Sequence, residues 1–351
     1  MGDSTSVIAL LIVLYGLLFW WAFRTLPQES WQFVASMPRM KLSDGRWVGT
    51  NLTYYGAWTA TAVVFAVAMA IVLMQSVAVA LDAIALLAVV LLGLCVPASK
   101  ILARLIEGKA NTFTVGGASM LGLFLAPMII DGINLVLNWT GKGALPAAAV
   151  LAALSVAYAF GEGTGRLACL SFGCCYGVPL QESGPRLSAW FQQYHIAFVG
   201  RTKKAAYEGD LEAVPLIPIQ ALTAVMSVGA GITGVWLFLQ GHMAASFLST
   251  IAITQLWRVA SEYLRADFRG VGTLSWYQIL SLLGVLYAFV LTFWLDTFPP
   301  SVPNMRLGLR DIWSPGIILA LEALWLGIFF FTGRSRVTAS TLTMRVLRDR
   351  I

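Results

Sequence analysis

Nine apolar runs recur along the chain, at roughly 7–23, 54–75, 77–96, 113–137, 145–161, 215–240, 243–261, 276–296 and 313–332. Several reach or exceed the roughly 20 residues that a helix needs to cross the hydrocarbon of a bilayer. Charged residues make up only 11% of the chain, against about a quarter in soluble domains. The expected fold is therefore all-α, a polytopic helical membrane protein of about nine transmembrane helices. Thirteen tryptophans and ten tyrosines suit the aromatic belts at the two membrane surfaces. The first run has no basic segment before it and no small-residue cleavage site after it, so it reads as a retained helix rather than a signal peptide.

The second and third runs almost abut and predict a tight antiparallel pair. Two connections are long, Arg24 to Thr53 and Gly173 to Val214. The second holds Pro179, Pro185, Trp190, His195, the basic run Arg201-Thr202-Lys203-Lys204 and acids at Glu208, Asp210 and Glu212, and reads as a small extramembrane cap over about 173–214. The net charge of +6 falls in short loops and the tail, with no basic stripe of interleaved aromatics. That excludes nucleic acid as a partner and points to anionic lipid head groups. Most of the 23 Lys and Arg follow odd-numbered runs, which the positive-inside rule assigns to the cytoplasm.

The densest chemistry lies in Gly161-Glu162-Gly163-Thr164-Gly165-Arg166-Leu167-Ala168-Cys169-Leu170-Ser171-Phe172-Gly173-Cys174-Cys175-Tyr176-Gly177. Five glycines, an acid, an arginine and three of the four cysteines arrive directly after an apolar run. The expectation is a helix that opens here into a glycine-rich turn, tolerated at membrane depth only where it lines a polar cavity. Arg166 would sit at the centre of that cavity. Its planar guanidinium can grip a phosphate or carboxylate through two parallel hydrogen bonds. The plainer reading is a helix-end arginine reaching for head groups.

Arg258, Glu262 and Arg265, at i, i+4 and i+7, share one helical face. Three charges there must look into the bundle or a watery cavity, and Glu262 can pair with either arginine, as a structural ladder or as part of a site. Gly116-Gly117-Ala118-Ser119 opens another run, either for close helix packing or as an amide nest for an anion. Asp131 and Asn134 are costly in the same run and have no assigned role. Cys169, Cys174 and Cys175 could pack, pin the turn by a disulfide, supply a thiolate beside Arg166, or bind zinc with His195. The spacing matches no recognised metal pattern, so neither metal nor cofactor is expected. Cys95 reads as a buried hydrophobe, His242 as a solvated loop residue and His195 as a weak candidate base.

Over roughly residues 50–296 the order of these motifs resembles the prolipoprotein diacylglyceryl transferase family. Tyr54-Tyr55-Gly56, Gly116-Gly117-Ala118-Ser119, Gly165-Arg166 with the cysteine turn to Gly177, Pro218-Ile219-Gln220, the Arg258–Glu262–Arg265 ladder and Leu274-Ser275-Trp276-Tyr277-Gln278 are similar to its signature segments. The resemblance implies a seven-helix core over 54–296, an extra N-terminal helix and loop over 1–53, and an extra helix with a basic tail over 297–351. It places the signature turn and cap in the periplasm of a bacterial inner-membrane protein, opposite to the charge rule.

In that family a lipoprotein cysteine attacks the glyceryl carbon of phosphatidylglycerol and expels glycerol phosphate. The resemblance assigns Arg166, Arg258 and Tyr55 as catalytic. It assigns Gly116, Gly117, Ser119, Gly165, Gly177, Gln220, Glu262 and Arg265 as substrate-binding. The expected partners are a phosphatidylglycerol-like phospholipid and a prolipoprotein or other protein acceptor. Leu121 and Ile217 stand where the family has histidines, Cys169 and Cys174 where it has asparagine and glutamate, and Thr254 where it has tyrosine. The phosphate-holding half of the pattern is retained and the proton-handling half is replaced. The alternative is thus a lapsed enzyme, a phospholipid-binding or scaffold subunit of a membrane complex.

Overall fold

The computed structural model describes residues 2–45, 47–107, 115–141, 143–266, 275–295, 302–335 and 349. The tail arginines 336, 345, 348 and 350, and Leu274, lie outside them. Twelve helices are described. They are α1 (Gly2–Thr25), α2 (Tyr54–Ser76), α3 (Leu81–Glu107), α4 (Val115–Trp139), α5 (Ala147–Phe172), α6 (Pro185–Phe191), α7 (Lys204–Gly209), α8 (Ile219–Leu239), α9 (Met243–Glu262), α10 (Trp276–Leu291), α11 (Met305–Ile312) and α12 (Pro315–Thr332). Each of the nine apolar runs falls on a helix. Six of these, in α1, α2, α4, α5, α8 and α12, contain a stretch long and apolar enough to cross a membrane, while α10 and the apolar part of α3 are shorter. The protein is a helical polytopic membrane protein.

Helix α5 is the axis of the bundle, packed against α2, α8 and α9. Alanine dominates its first half, the best helix former and the thinnest, so neighbours approach closely. The expected opening of the chain after Gly161 is not there: α5 continues as helix to Phe172. The reason is packing. A Cβ on Gly163 would stand 2.7 Å from Val228 Cγ2 and 3.0 Å from the Ala224 carbonyl of α8, and one on Gly161 would stand 3.1 Å from Ala66 Cβ of α2. These glycines let helices touch, and the helix keeps its backbone bonds as lipid requires. It ends only at Gly173, in the left-handed region at φ 73°, whose N–H donates to the Cys169 carbonyl at 2.8 Å.

Several helix starts follow from local sequence. Thr53 Oγ1 accepts from Gly56 N–H ahead of α2. Ser275 and Gln278 form a capping box on α10, and Gln278 Nε2 also donates to the Val259 carbonyl of α9 at 3.1 Å. Asn134, costly in lipid, uses its amide to hold the backbone N–H and carbonyl of Leu145 between α4 and α5.

The first long connection is not plain loop. Strands β1 (Phe33–Lys41) and β2 (Trp47–Thr53) pair antiparallel, from Phe33 opposite Thr53 to Lys41 opposite Trp47. A two-residue strand β3 (Arg334–Ser335), just after α12, adds to the other edge of β2. The second connection is the cap, built on α6, α7 and a 3-10 turn at Leu180–Glu182. Lys203 locks the cap down. Its side chain is fully buried and its Nζ donates to the carbonyls of Leu26, just past α1, and Ser171, in the last turn of α5. Helix α11, short and amphipathic, is a further element not evident in the sequence.

Candidate functional site

Successive turns of α5 present Tyr158, Glu162 and Arg166 on one side, because i, i+4 and i+8 are stacked along a helix. Helix α9 faces them with Gln255 and Arg258. Arg166 Nη2 donates to Glu162 Oε1 at 2.8 Å, and Arg258 Nη2 lies 3.9 Å from the same oxygen. The Tyr158 hydroxyl donates to Glu162 Oε2 at 2.5 Å, and Gln255 Nε2 donates to the Tyr158 oxygen at 3.4 Å. The side chains of Glu162, Arg166 and Arg258 are only 8, 16 and 15% exposed, so these charges are largely withdrawn from water.

Arg166 and Arg258 share one hollow, whose wall also includes Thr254, Glu262 and Arg265. On the wall of this hollow Arg258 Nη1 and Glu262 Oε1 are buried without a protein partner. An orphaned guanidinium N–H in a water-poor place is costly unless something fills the hollow. Its interior of ≈10 Å³ holds about one water as drawn. A phosphate would therefore enter by parting Glu162 from the arginines. The expected pairing of Glu262 with Arg258 or Arg265 is not the ion pair found at Arg258, which faces Glu162 instead.

The turn after α5 meets this hollow at Arg265. Gly177 and Arg265 form an antiparallel bridge, with Val178 N–H donating to Leu264 O and Ala266 N–H to Tyr176 O. A Cβ on Gly177 would meet the Ile217 carbonyl at 2.3 Å, which accounts for the glycine. Gln220, at the start of α8, holds the turn by donating from Nε2 to the Cys174 carbonyl at 2.9 Å, while its Oε1 is buried and unpartnered. Tyr55, in the first turn of α2, packs its ring 5.5 Å from that of Phe172.

The sulfurs of Cys169, Cys174 and Cys175 lie within 4.8 Å of one another, all half-buried and free. No disulfide pins the turn. His195 does not complete a tetrahedron: it sits in the cap with Nδ1 at 2.9 Å from the Gln192 carbonyl. In the cap, burial pushes the Lys203 ammonium down to about 7, opposed by the charge of Glu29. Two N–H bonds to two carbonyls match a neutral amine, which has two hydrogens to give.

The other predicted residues separate. Gly165 stands against Ala62 of α2. Gly116 and Gly117 lie in the first turn of α4. Ser119 lines a different space, an apolar pocket of ≈320 Å³ between α3, α4, α5 and α9. That pocket is walled by Leu91, Met120, Leu151, Phe247 and Ile251, and it also touches Tyr158 and Gln255. The apolar pocket and the charged hollow thus abut along the Tyr158–Gln255 bond. Thr254 spends its hydroxyl on the Thr250 carbonyl at 2.8 Å, and Ile217 is fully buried. Sequence reasoning passed over Glu162, Tyr158 and Gln255. The signal was present as an i, i+4 Glu–Arg pair inside an apolar segment.

The fold and the site together define a multi-pass helical membrane protein with buried arginines on two facing helices. The family model for prolipoprotein diacylglyceryl transferase matches residues 46–294, more than two-thirds of the chain. The chain belongs to that family, whose members are membrane transferases acting on lipid and lipoprotein substrates. A search among curated proteins gave no match.

Proposed function

We propose that this protein moves a diacylglyceryl group from an anionic phospholipid, such as phosphatidylglycerol, onto the cysteine thiol of a prolipoprotein in a bacterial inner membrane. The observation that carries this reading is Arg258 Nη1, buried and unpartnered in the hollow it shares with Arg166. A phosphate oxygen supplies the acceptor that atom lacks, and the two guanidiniums hold charge that develops on the departing glycerol phosphate. An acyl chain fits the adjoining apolar pocket. Residues 54–296 form the working unit, with the cap at about 173–214 over its outer end.

A second reading, a phospholipid-binding subunit without turnover, is favoured by Leu121, Ile217 and Thr254, which offer no proton acceptor at positions where the family has histidines and tyrosine. Purified protein given phosphatidylglycerol and a lipobox peptide separates the two. The first reading expects a diacylglyceryl peptide by mass spectrometry, reduced about 100-fold or more in Arg258→Ala and Arg166→Ala, the scale of losing one transition-state donor. Retained phosphatidylglycerol with no modified peptide, from wild type, overturns it in favour of the second.

A further inference from the structure

The cluster of Cys169, Cys174 and Cys175 is left unused by the arginine hollow. Three separate features bring its sulfurs together. The left-handed Gly173 turns the chain back at the end of α5. Cys175 is itself held in the left-handed region, at φ 56°, a conformation that a side chain adopts only when its surroundings impose it. The Gln220 amide then holds the Cys174 carbonyl.

We propose that the three sulfurs are a binding site for a thiophilic divalent metal of the zinc class, with the fourth position left for the acceptor thiol. Zinc–sulfur bonds of about 2.3 Å place ligating sulfurs roughly 3.8–4 Å apart, so atoms within 4.8 Å of one another close on an ion with small rotamer changes. Among the described histidines, cysteines and acids, no fourth ligand joins the cluster. Three protein ligands with an open position is the arrangement of catalytic zinc, whereas structural sites are closed. Arg166 and Arg265 stand within electrostatic reach of Cys175. They do not oppose the ion: three thiolates and one divalent cation leave a net charge of −1, opposite in sign to the guanidiniums.

This assignment rests on the transferase reading and supplies what that reading lacks. A thiol bound at the open position is deprotonated outright, with its proton going to water. Its sulfur then forms a bond to the glyceryl carbon as the carbon–oxygen bond to phosphate breaks, and the electron pair leaves on the phosphate oxygen beside Arg258. Cys169 lies three residues beyond Arg166 on α5, about 4.5 Å along the axis, so donor and acceptor sites are neighbours. Cysteines at the family's asparagine and glutamate positions thus take over thiol activation from histidine and tyrosine.

The test uses full-length protein in detergent, reduced, stripped of metal and titrated with Co²⁺. The expected result is one cobalt per chain with sulfur-to-cobalt charge-transfer absorption. A lipobox cysteine peptide should shift that spectrum and its serine counterpart should not. Cys169→Ser and Cys174→Ser should each weaken cobalt binding by more than about 100-fold, beyond the usual cost of losing an outer-shell partner. The triple serine variant, with Cys95 as its sole thiol, should show no such band. Failure of wild type to bind cobalt overturns the site, as does a spectrum that ignores the peptide. Full transfer activity in metal-stripped protein overturns the activating role while leaving the transferase reading standing. A peptide-responsive cobalt site without any transfer supports the site and counts against the transferase reading alone.

Discussion

Replacing Glu162 by glutamine tests the electrostatics of the hollow most directly. The carboxylate takes a 2.8 Å charge-assisted bond from Arg166, lies 3.9 Å from Arg258 and accepts from Tyr158. Removing one partner of a buried pair costs about 3–5 kcal/mol, since the remaining charge stays desolvated. Glutamine keeps the shape and can still accept from Arg166, so Glu162→Gln should fall at the lower end, at about 3 kcal/mol in detergent unfolding. The same change should raise affinity for an anionic head group, because Glu162 occupies the guanidinium edge that a phosphate needs. Tenfold tighter binding corresponds to about 1.4 kcal/mol of added ligand stabilisation. The assay is thermal unfolding with and without phosphatidylglycerol, using phosphatidylcholine as control. The variant should start lower and gain more from phosphatidylglycerol than wild type does. If both respond alike, Glu162 and phosphate do not compete for the arginines, and the account of the hollow is wrong.

Gly163→Ala should destabilise by about 1–3 kcal/mol through overpacking. Adding Val228→Ala should restore only part of this, because the Ala224 carbonyl at 3.0 Å is backbone and cannot retreat. Stability in detergent should rise with pH from about 7 towards the unfolded lysine value near 10.4, by up to about 1.4 kcal/mol per pH unit. In that window unfolded Lys203 binds a proton that the folded residue does not, so raising the pH favours folding. Lys203→Met should remove that component of the slope, and an unchanged slope would show that Lys203 is charged when buried.

The bundle was legible because lipid leaves helices little alternative, and each of the nine apolar runs coincides with one. Their ends were harder to place. From sequence the fifth run stops at Gly161, because glycines and charges together suggest a turn, whereas here the glycines face α2 and α8. The same pattern assigns Glu162 to the turn, whereas it belongs to a helical stripe with Tyr158 and Arg166. Arg166 and Arg258 each stand out in advance, since charge in an apolar segment must seek company. The meeting of three sulfurs could not, because nothing in a cysteine's identity announces a left-handed backbone. Helix α11 and the β1–β2 pairing escaped for a simpler reason: neither is apolar enough to stand out beside membrane spans.

Strand β3 has a consequence for how the molecule is made. Thr53 N–H and Oγ1 both bond to the Gly333 carbonyl, and β2 takes Arg334 and Ser335 on its open edge. A Cβ on Gly56 would stand 2.2 Å from Gly333 Cα, so the start of α2, with Tyr55 in it, rests directly on the end of α12. A segment synthesised early is thus finished by one that leaves the ribosome nearly three hundred residues later. Until α12 has inserted, β2 keeps an open edge and the start of α2 lacks the surface it rests on, so a nascent chain stalled before that point would hold its first core helix at one end only.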